Sequence, residues 1–219
     1  MTGSSDLTEK HRALRDGQIG DEYLYDLIQE FGKVHFVTAA PDVARLLQHA
    51  DPQIRYMAIN VLTFDWDLLK YRDAVEPLVA DPIYYVRQQA IMGLGYLLRG
   101  SRDVRATKLF LQKLKSVDED GSVREAAYEA LLDMWLPPSK RAPTFEQVRS
   151  GLPELSKRAT TTLALSRELG RAKASGDSER VLAIAEEMRI FVKNWDESWQ
   201  ARVDWEAVAA IERGEPPTQ

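Results

Sequence analysis

Residues 51–58 read Asp-Pro-Gln-Ile-Arg-Tyr-Met-Ala, a turn followed by a branched apolar residue, an arginine and, three positions on, an alanine. The same pattern returns within residues 81–94 and again within 120–131. Its arginines lie 32 and 37 residues apart, at Arg55, Arg87 and Arg124. Self-similarity at this period predicts an array of stacked helical hairpins, in which each hairpin buries its apolar face against the next.

The residues of the repeat also predict where each helix begins. Proline is tolerated in the first turn of a helix, because its missing N–H would have had no partner there, and Pro52 and Pro82 fit that position. The aspartates before them, Asp51 and Asp81, are expected to cap the free N–H groups. Small residues recur inside each helix and should let neighbouring helices approach closely: Ala58, Ala90 and Ala127.

We therefore predict an all-α fold, a right-handed α-solenoid of stacked helical hairpins with a C-terminal helical extension. A cluster of prolines interrupts the repeats after Leu136 and predicts an exposed joint. The predicted organisation is an N-terminal tail and helix at 1–20, a repeat array at 21–136, a Pro-rich joint at 137–152, a helical segment at 153–213 and a tail at 214–219.

Composition restricts the classes of function. The formal net charge is −5, and the acidic excess lies wholly within residues 1–136. Duplex-DNA binding normally needs a basic surface, so we expect a protein partner recognised by charge complementarity rather than nucleic acid. The absence of cysteine excludes a disulfide framework and a cysteine metal site. No apolar run reaches the roughly 20 residues that span a bilayer, so we expect a cytoplasmic protein without a membrane partner.

The repeated units within residues 40–135 resemble HEAT-type repeats, including the short form found in phycobiliprotein-lyase-like bacterial proteins. The resemblance implies a helical solenoid that supplies a binding surface, mostly for proteins and less often for nucleic acids or tetrapyrroles. It also implies that the repeated arginine bonds within or between units, a structural role that Arg55, Arg87 and Arg124 would inherit.

A basic helix provides the first candidate binding residues. From about residue 103, basic side chains fall three and four positions apart and so share one helix face. The candidates are Arg102, Arg105, Lys108 and Lys115. Val104, Thr107, Leu111 and Leu114 form the apolar stripe opposite. The basic face either holds an acidic partner or phosphates or is simply a solvated outer face.

Aromatic residues provide the second set of candidates. Trp66 lies between Asp65 and Asp67 in the predicted turn of the first unit. It either anchors a partner, since tryptophan is enriched at binding hot spots, or pins the turn while the aspartates cap the next helix. Tyr84 and Tyr85 point about 100° apart on a helix, so one should pack and the other be exposed.

No catalytic, metal or cofactor motif is present in the sequence, and a non-enzymatic scaffold or adaptor is the leading hypothesis. Neutralisation of a toxin, as by an immunity-type protein, is one form of it. The alternative is a DNA-alkylation-repair-like glycosylase or another nucleic-acid-binding HEAT-like protein. For that class Trp66-Asp67 is the nearest match, with Lys70 where the family's aspartate is expected. Tetrapyrrole handling is a third class, carried only by the repeats.

Overall fold

The computed structural model describes residues 3–136, 165, 168, 169, 171, 172, 176–201 and 203–217, without the side chains of residues 3–5 and 191–199. All regular structure among these residues is helical, as predicted. The predicted joint at 137–152 lies outside them. The helices are α1 (Gly3–Arg15), α2 (Asp21–Lys33), α3 (Ala40–Arg45), α4 (Pro52–Asn60), α5 (Arg72–Val75), α6 (Tyr84–Leu97), α7 (Val104–Lys115), α8 (Gly121–Trp135), α9 (Ser178–Gln200) and α10 (Trp205–Glu212).

Helix α1 is held to α2 and α3 by polar contacts. Lys10 Nζ donates to Glu30 Oε1 on α2 at 3.0 Å, and His11 Nε2 lies 2.6 Å from Asp42 Oδ2 on α3. The ring of His11 also meets Phe36 edge-to-face. These contacts join α1 to α2, to α3 and to the segment between them.

Helix α4 begins and ends in two different ways. Asp51 accepts a hydrogen bond from Gln53 N–H at 2.7 Å, so the predicted cap is present, with Pro52 as the first helical residue. At the other end the helix widens into a π-helical turn, Val61–Asp65, which the repeat pattern does not predict. The partner helix α5 is only four residues long and is flanked by 3₁₀ turns.

Helices α6 and α8 pack closely against each other. A Cβ on Gly95 of α6 would lie 2.6 Å from the Cβ of Ala130 on α8, so the absent side chain lets the two backbones approach. The repeated alanines Ala58, Ala90 and Ala127 are all fully buried, as the small-residue pattern predicts.

The helices contact one another in a regular order. α2 packs on α4, α4 on α6, and α6 on α8, while α7 packs on α8 and the turn after α5 packs on α6. The core lies among these helices. Large apolar side chains line it, such as Ile59, Ile91, Phe110 and Leu131.

The chain forms two compact units, and the first is discontinuous in sequence. It combines residues 1–140 with 205–219, and the second holds residues 141–204. Helix α10 packs on α7, where Lys115 Nζ donates to Glu212 Oε1 at 2.7 Å. The predicted C-terminal segment, 153–213, is therefore divided at residue 204, and its last helix belongs to the unit that contains the repeats.

Candidate interaction surface

The arginines of the repeat bond within and between units, as expected. Arg55 donates from Nε and Nη2 to the two carboxylate oxygens of Asp81, at 2.7 and 2.8 Å. It also donates to the carbonyls of His49 and Ala50, both at 2.8 Å. The hydrogen bond to Asp81 raises the pKa of Arg55 despite the opposing effect of burial. This pair fixes the turn before α4 against the turn before α6.

The second arginine repeats the arrangement. Arg87 Nη2 donates to Glu119 Oε1 at 2.6 Å and Nη1 to the carbonyl of Asp81 at 2.8 Å. Burial opposes ionisation of Glu119, but the donors from Lys113 and Arg87 outweigh it and lower its pKa. Arg124 Nε donates to the carbonyl of Leu114 at 3.0 Å. All three arginines hold the fold together rather than line a binding site.

The turn after α4 corrects one interpretation of its aromatic residue and the predicted capping role of its aspartates. Trp66 is only 4% exposed, so it does not present its ring to a partner. Asp67 instead pairs with Arg99 at 2.7 Å. Neither aspartate caps the next helical turn, which follows Leu68 without a side-chain cap. Burial raises the pKa of Asp65, against the opposing charges of His35 and Lys33.

The burial of Trp66 fits its other interpretation, in which the side chain packs into the turn, and its backbone N–H donates to the carbonyl of Val61 at 3.0 Å. Its buried indole Nε1 finds no acceptor among the described residues. Trp66 is thus buried, and Asp67 is paired with Arg99.

The basic residues of α7 are largely paired within the first unit. Arg105 pairs with Glu76 at 2.6 Å, and Lys115 pairs with Glu212. Arg102 lies 5.7 Å from the ring centre of Trp135. Lys108 is exposed and forms no ion pair with a described residue. The cluster therefore offers much less uncompensated positive charge than its sequence suggests.

The apolar stripe of α7 also differs from its predicted form. Thr107, Leu111 and Leu114 are buried, as predicted. Val104 is 66% exposed, because the helix begins at this residue and its side chain lies beyond the packed part of α7. Phe110, which the prediction did not assign to the stripe, is buried.

Four tyrosines from three helices form what we call the tyrosine cluster: Tyr25, Tyr56, Tyr84 and Tyr85. The ring centres of Tyr84 and Tyr85 are 5.7 Å apart, and those of Tyr85 and Tyr56 are 6.2 Å apart, both edge-to-face. Burial raises the pKa of Tyr56, and neighbouring Tyr25 adds to the shift. Tyr84 is 49% exposed, whereas Tyr85 is half-buried and not fully packed.

A second aromatic contact continues this face toward the other end of α4 and α6. Phe64 and Tyr96 lie 5.1 Å apart, and the guanidinium of Arg99 lies 4.1 Å from the Tyr96 ring centre. Between the two aromatic groups, Gln89 Nε2 donates to Asn60 Oδ1 at 3.1 Å. One face of α4 and α6 thus carries the half-buried side chains of Tyr56, Asn60, Phe64 and Tyr96, with the Gln89 amide buried between the two helices.

The structure does not bring the sequence candidates together. Asp65, Trp66, Asp67 and Arg102 lie in turns that follow α4 and α6, whereas Tyr84 lies at the opposite end of α6. Sequence reasoning missed Tyr25, Tyr56, Phe64 and Tyr96 as surface residues. The signal was present: Tyr56, Asn60 and Phe64 are spaced by four, and α6 has Gln88, Met92 and Tyr96 at the equivalent positions after its arginine.

Groups of three or more histidine, aspartate or glutamate side chains that could hold a metal ion are absent from the described part of the chain. None of the described helices combines the length and apolarity needed to cross a bilayer. Comparison with protein-family models, with curated proteins and with solved structures found no match.

Proposed function

We propose that this chain is a non-enzymatic scaffold that binds another protein through the aromatic face of α4 and α6. The observation that carries the proposal is the aromatic and amide surface running from Tyr84 to Tyr96. Tyrosine supplies a large, rigid contact area at a low cost in side-chain entropy, and such residues are enriched at the centres of protein interfaces.

The order of helix contacts supports the α-solenoid part of the proposal. Successive contacts of α2, α4, α6 and α8 are those expected of one row of helices in stacked hairpins, and α7 and α10 would belong to the second row. The repeat sequence supports a place among HEAT-like proteins. In such an array the row that carries the aromatic face would be the binding row, and neutralisation of a basic toxin is one activity this surface suits.

Affinity purification of the tagged chain from its own host, with mass spectrometry of the eluate, tests the proposal. We expect one stoichiometric protein that leaves at high salt, because the net charge of the chain is −5 and complementary charge is screened by salt. The variant Tyr56→Ala/Tyr96→Ala should lose this protein. The control Tyr71→Ala, which changes a tyrosine outside the proposed face, should keep it.

Two results would contradict the scaffold. In the first, the tagged chain elutes with no stoichiometric protein at any salt concentration. The second is nucleic acid as the main co-eluting species, which would favour a nucleic-acid-binding protein of similar architecture.

A further inference from the structure

We propose that the tyrosine cluster and the carboxylates beside it bind an arginine- or lysine-rich segment of the partner protein. This inference rests on the proposed function and names the chemistry that the scaffold recognises. It concerns one end of the aromatic face, where the rings of Tyr56 and Tyr84 both contact the ring of Tyr85.

Part of the Tyr84 ring is open to solvent, since this side chain is 49% exposed. Both ring contacts of the cluster are edge-to-face, with interplanar angles of 84° for Tyr84 and Tyr85 and 69° for Tyr56 and Tyr85. An edge-to-face pair covers one face of one ring only, so the contact with Tyr85 leaves a face of the exposed Tyr84 ring available to a ligand. A guanidinium or ammonium group is attracted to such a face.

The surrounding charge is negative. Burial and, after it, the Asp51 carboxylate raise the pKa of the Tyr85 hydroxyl, and the ion pair of Asp21 with His49 at 3.4 Å places the start of α2 beside the turn that contains Asp51. Asp26 and Glu22 are exposed, lie one and three positions from Tyr25 on α2, and form no ion pair with a described residue. The carboxylates of Asp51, Asp26 and Glu22 would meet the positive charges of a basic segment.

The positive charges near the cluster are already committed to the fold. Arg55 is paired with Asp81, and Arg87 with Glu119, and both arginines also donate to backbone carbonyls. They therefore do not offset the carboxylates that face solvent. An acidic ligand would be repelled here, while a cationic one gains from both the rings and the carboxylates.

The test is a direct binding measurement by fluorescence anisotropy. The probe is a fluorescein-labelled peptide of about ten residues rich in arginine, and a glutamate-rich peptide of equal length is the negative control. Because truncation of a central interface tyrosine commonly costs a factor of ten, we expect Tyr84→Ala/Tyr85→Ala to weaken binding of the basic peptide at least about tenfold. Tyr84→Phe/Tyr85→Phe keeps the rings and should bind within about threefold of the unaltered chain.

Two matched charge variants distinguish binding at the tyrosine cluster from a general attraction of the basic peptide to an acidic protein. Asp26→Asn/Asp51→Asn and Asp118→Asn/Glu179→Gln both remove two negative charges, and asparagine at residue 51 can still cap α4. Only the first pair lies at the cluster, so only it should weaken binding several-fold. Equal effects of the two pairs would overturn the site, as would unchanged binding by the alanine variant.

Folding is checked by circular dichroism and thermal unfolding of each variant. If the double alanine variant does not fold, Tyr84→Ala alone tests the site, because this side chain is half exposed and its removal leaves the core intact. The inference and the proposed function can fail separately. A cellular partner retained by the Tyr84→Ala/Tyr85→Ala variant overturns the inference and leaves the scaffold standing, whereas absence of any partner contradicts the scaffold itself.

Discussion

At the scale of single residues, the buried pair of Arg55 and Asp81 shows why the repeat keeps an arginine. The Asp81 side chain is 3% exposed, and its carboxylate is matched by the two N–H groups of one guanidinium. This planar, bidentate geometry is available to arginine and not to lysine. One side chain thereby holds two successive inter-helix turns in register.

Replacing Arg55 by leucine should destabilise the chain by about 3–5 kcal/mol, because it leaves the Asp81 carboxylate buried without its partner. The free energy of unfolding, measured by urea denaturation, checks this. The double variant Arg55→Leu/Asp81→Asn should cost less than the sum of the two single changes, since both remove the same interaction. A cost below about 1 kcal/mol for Arg55→Leu would show that the pair does not stabilise the fold.

Residue identities predicted the local contacts better than the distant ones. The cap by Asp51 follows from its position before Pro52, and the resemblance to HEAT-type repeats implied that Arg55 bonds within the fold, as it does to the carbonyl of His49. The partners of Arg105 and Lys115 do not follow from the sequence, because Glu76 and Glu212 come close only after the helices pack. The Lys115 contact joins residues 97 positions apart, so no local pattern contains it.

At the scale of helices, the positions of the inter-helix contacts decide which side chains stay on the surface. The repeat spacing predicted α4, α6 and α8, but not the π-helical turn that extends α4. In that turn Thr63 Oγ1 donates to the carbonyl of Ile59 at 2.8 Å, and Phe64 reaches Tyr96 on the next helix. The aromatic face therefore extends to Phe64 because the helix changes its type locally. The repeat pattern does not predict this change.

Gly95→Ala tests how closely α6 and α8 must pack. Alanine is the better helix former, so the change would stabilise an isolated helix. In the folded chain its Cβ would lie 2.9 Å from the Ala130 Cα, a backbone atom that can yield only if the helix moves. We expect a net loss of about 1–3 kcal/mol from overpacking, measured by thermal unfolding.

The compensating variant Gly95→Ala/Ala130→Gly removes the nearest clashing atom, the Ala130 Cβ at 2.6 Å, and should recover part of the loss. A Gly95→Ala variant at least as stable as the unaltered chain would mean that the two helices are not held at this distance.

At the scale of the whole molecule, the first unit is assembled from two separate stretches of sequence. Sequence analysis placed the last helix in a single C-terminal segment, because the prolines after Leu136 indicated one boundary and nothing in residues 205–212 pairs them with α7 by pattern. In the structure α10 buries Val208 and Ile211 within the first unit. The contact of α10 with α7 forms only in the folded chain, and the local pattern of hydrophobic residues does not predict it.

Removal of residues 205–219 should therefore destabilise residues 1–140, although it deletes only the end of the chain. Joining 1–140 to 205–219 through a Gly/Ser linker of about 20 residues, which reaches roughly 25 Å, should restore the stability without the second unit. Urea unfolding of the three proteins, followed by circular dichroism, checks this. Equal midpoints for the truncated and linked forms would show that α10 contributes nothing to the first unit.

The discontinuous first unit also has a consequence for biosynthesis. A ribosome makes residues 1–140 first, but the helix that covers α7 follows only after residues 141–204. At about 5–20 residues per second, this delay lasts roughly 3–13 s. During that interval α7 lacks its contact with α10, including the ion pair of Lys115 with Glu212, so the synthesis of residues 205–212 determines when the first unit can close.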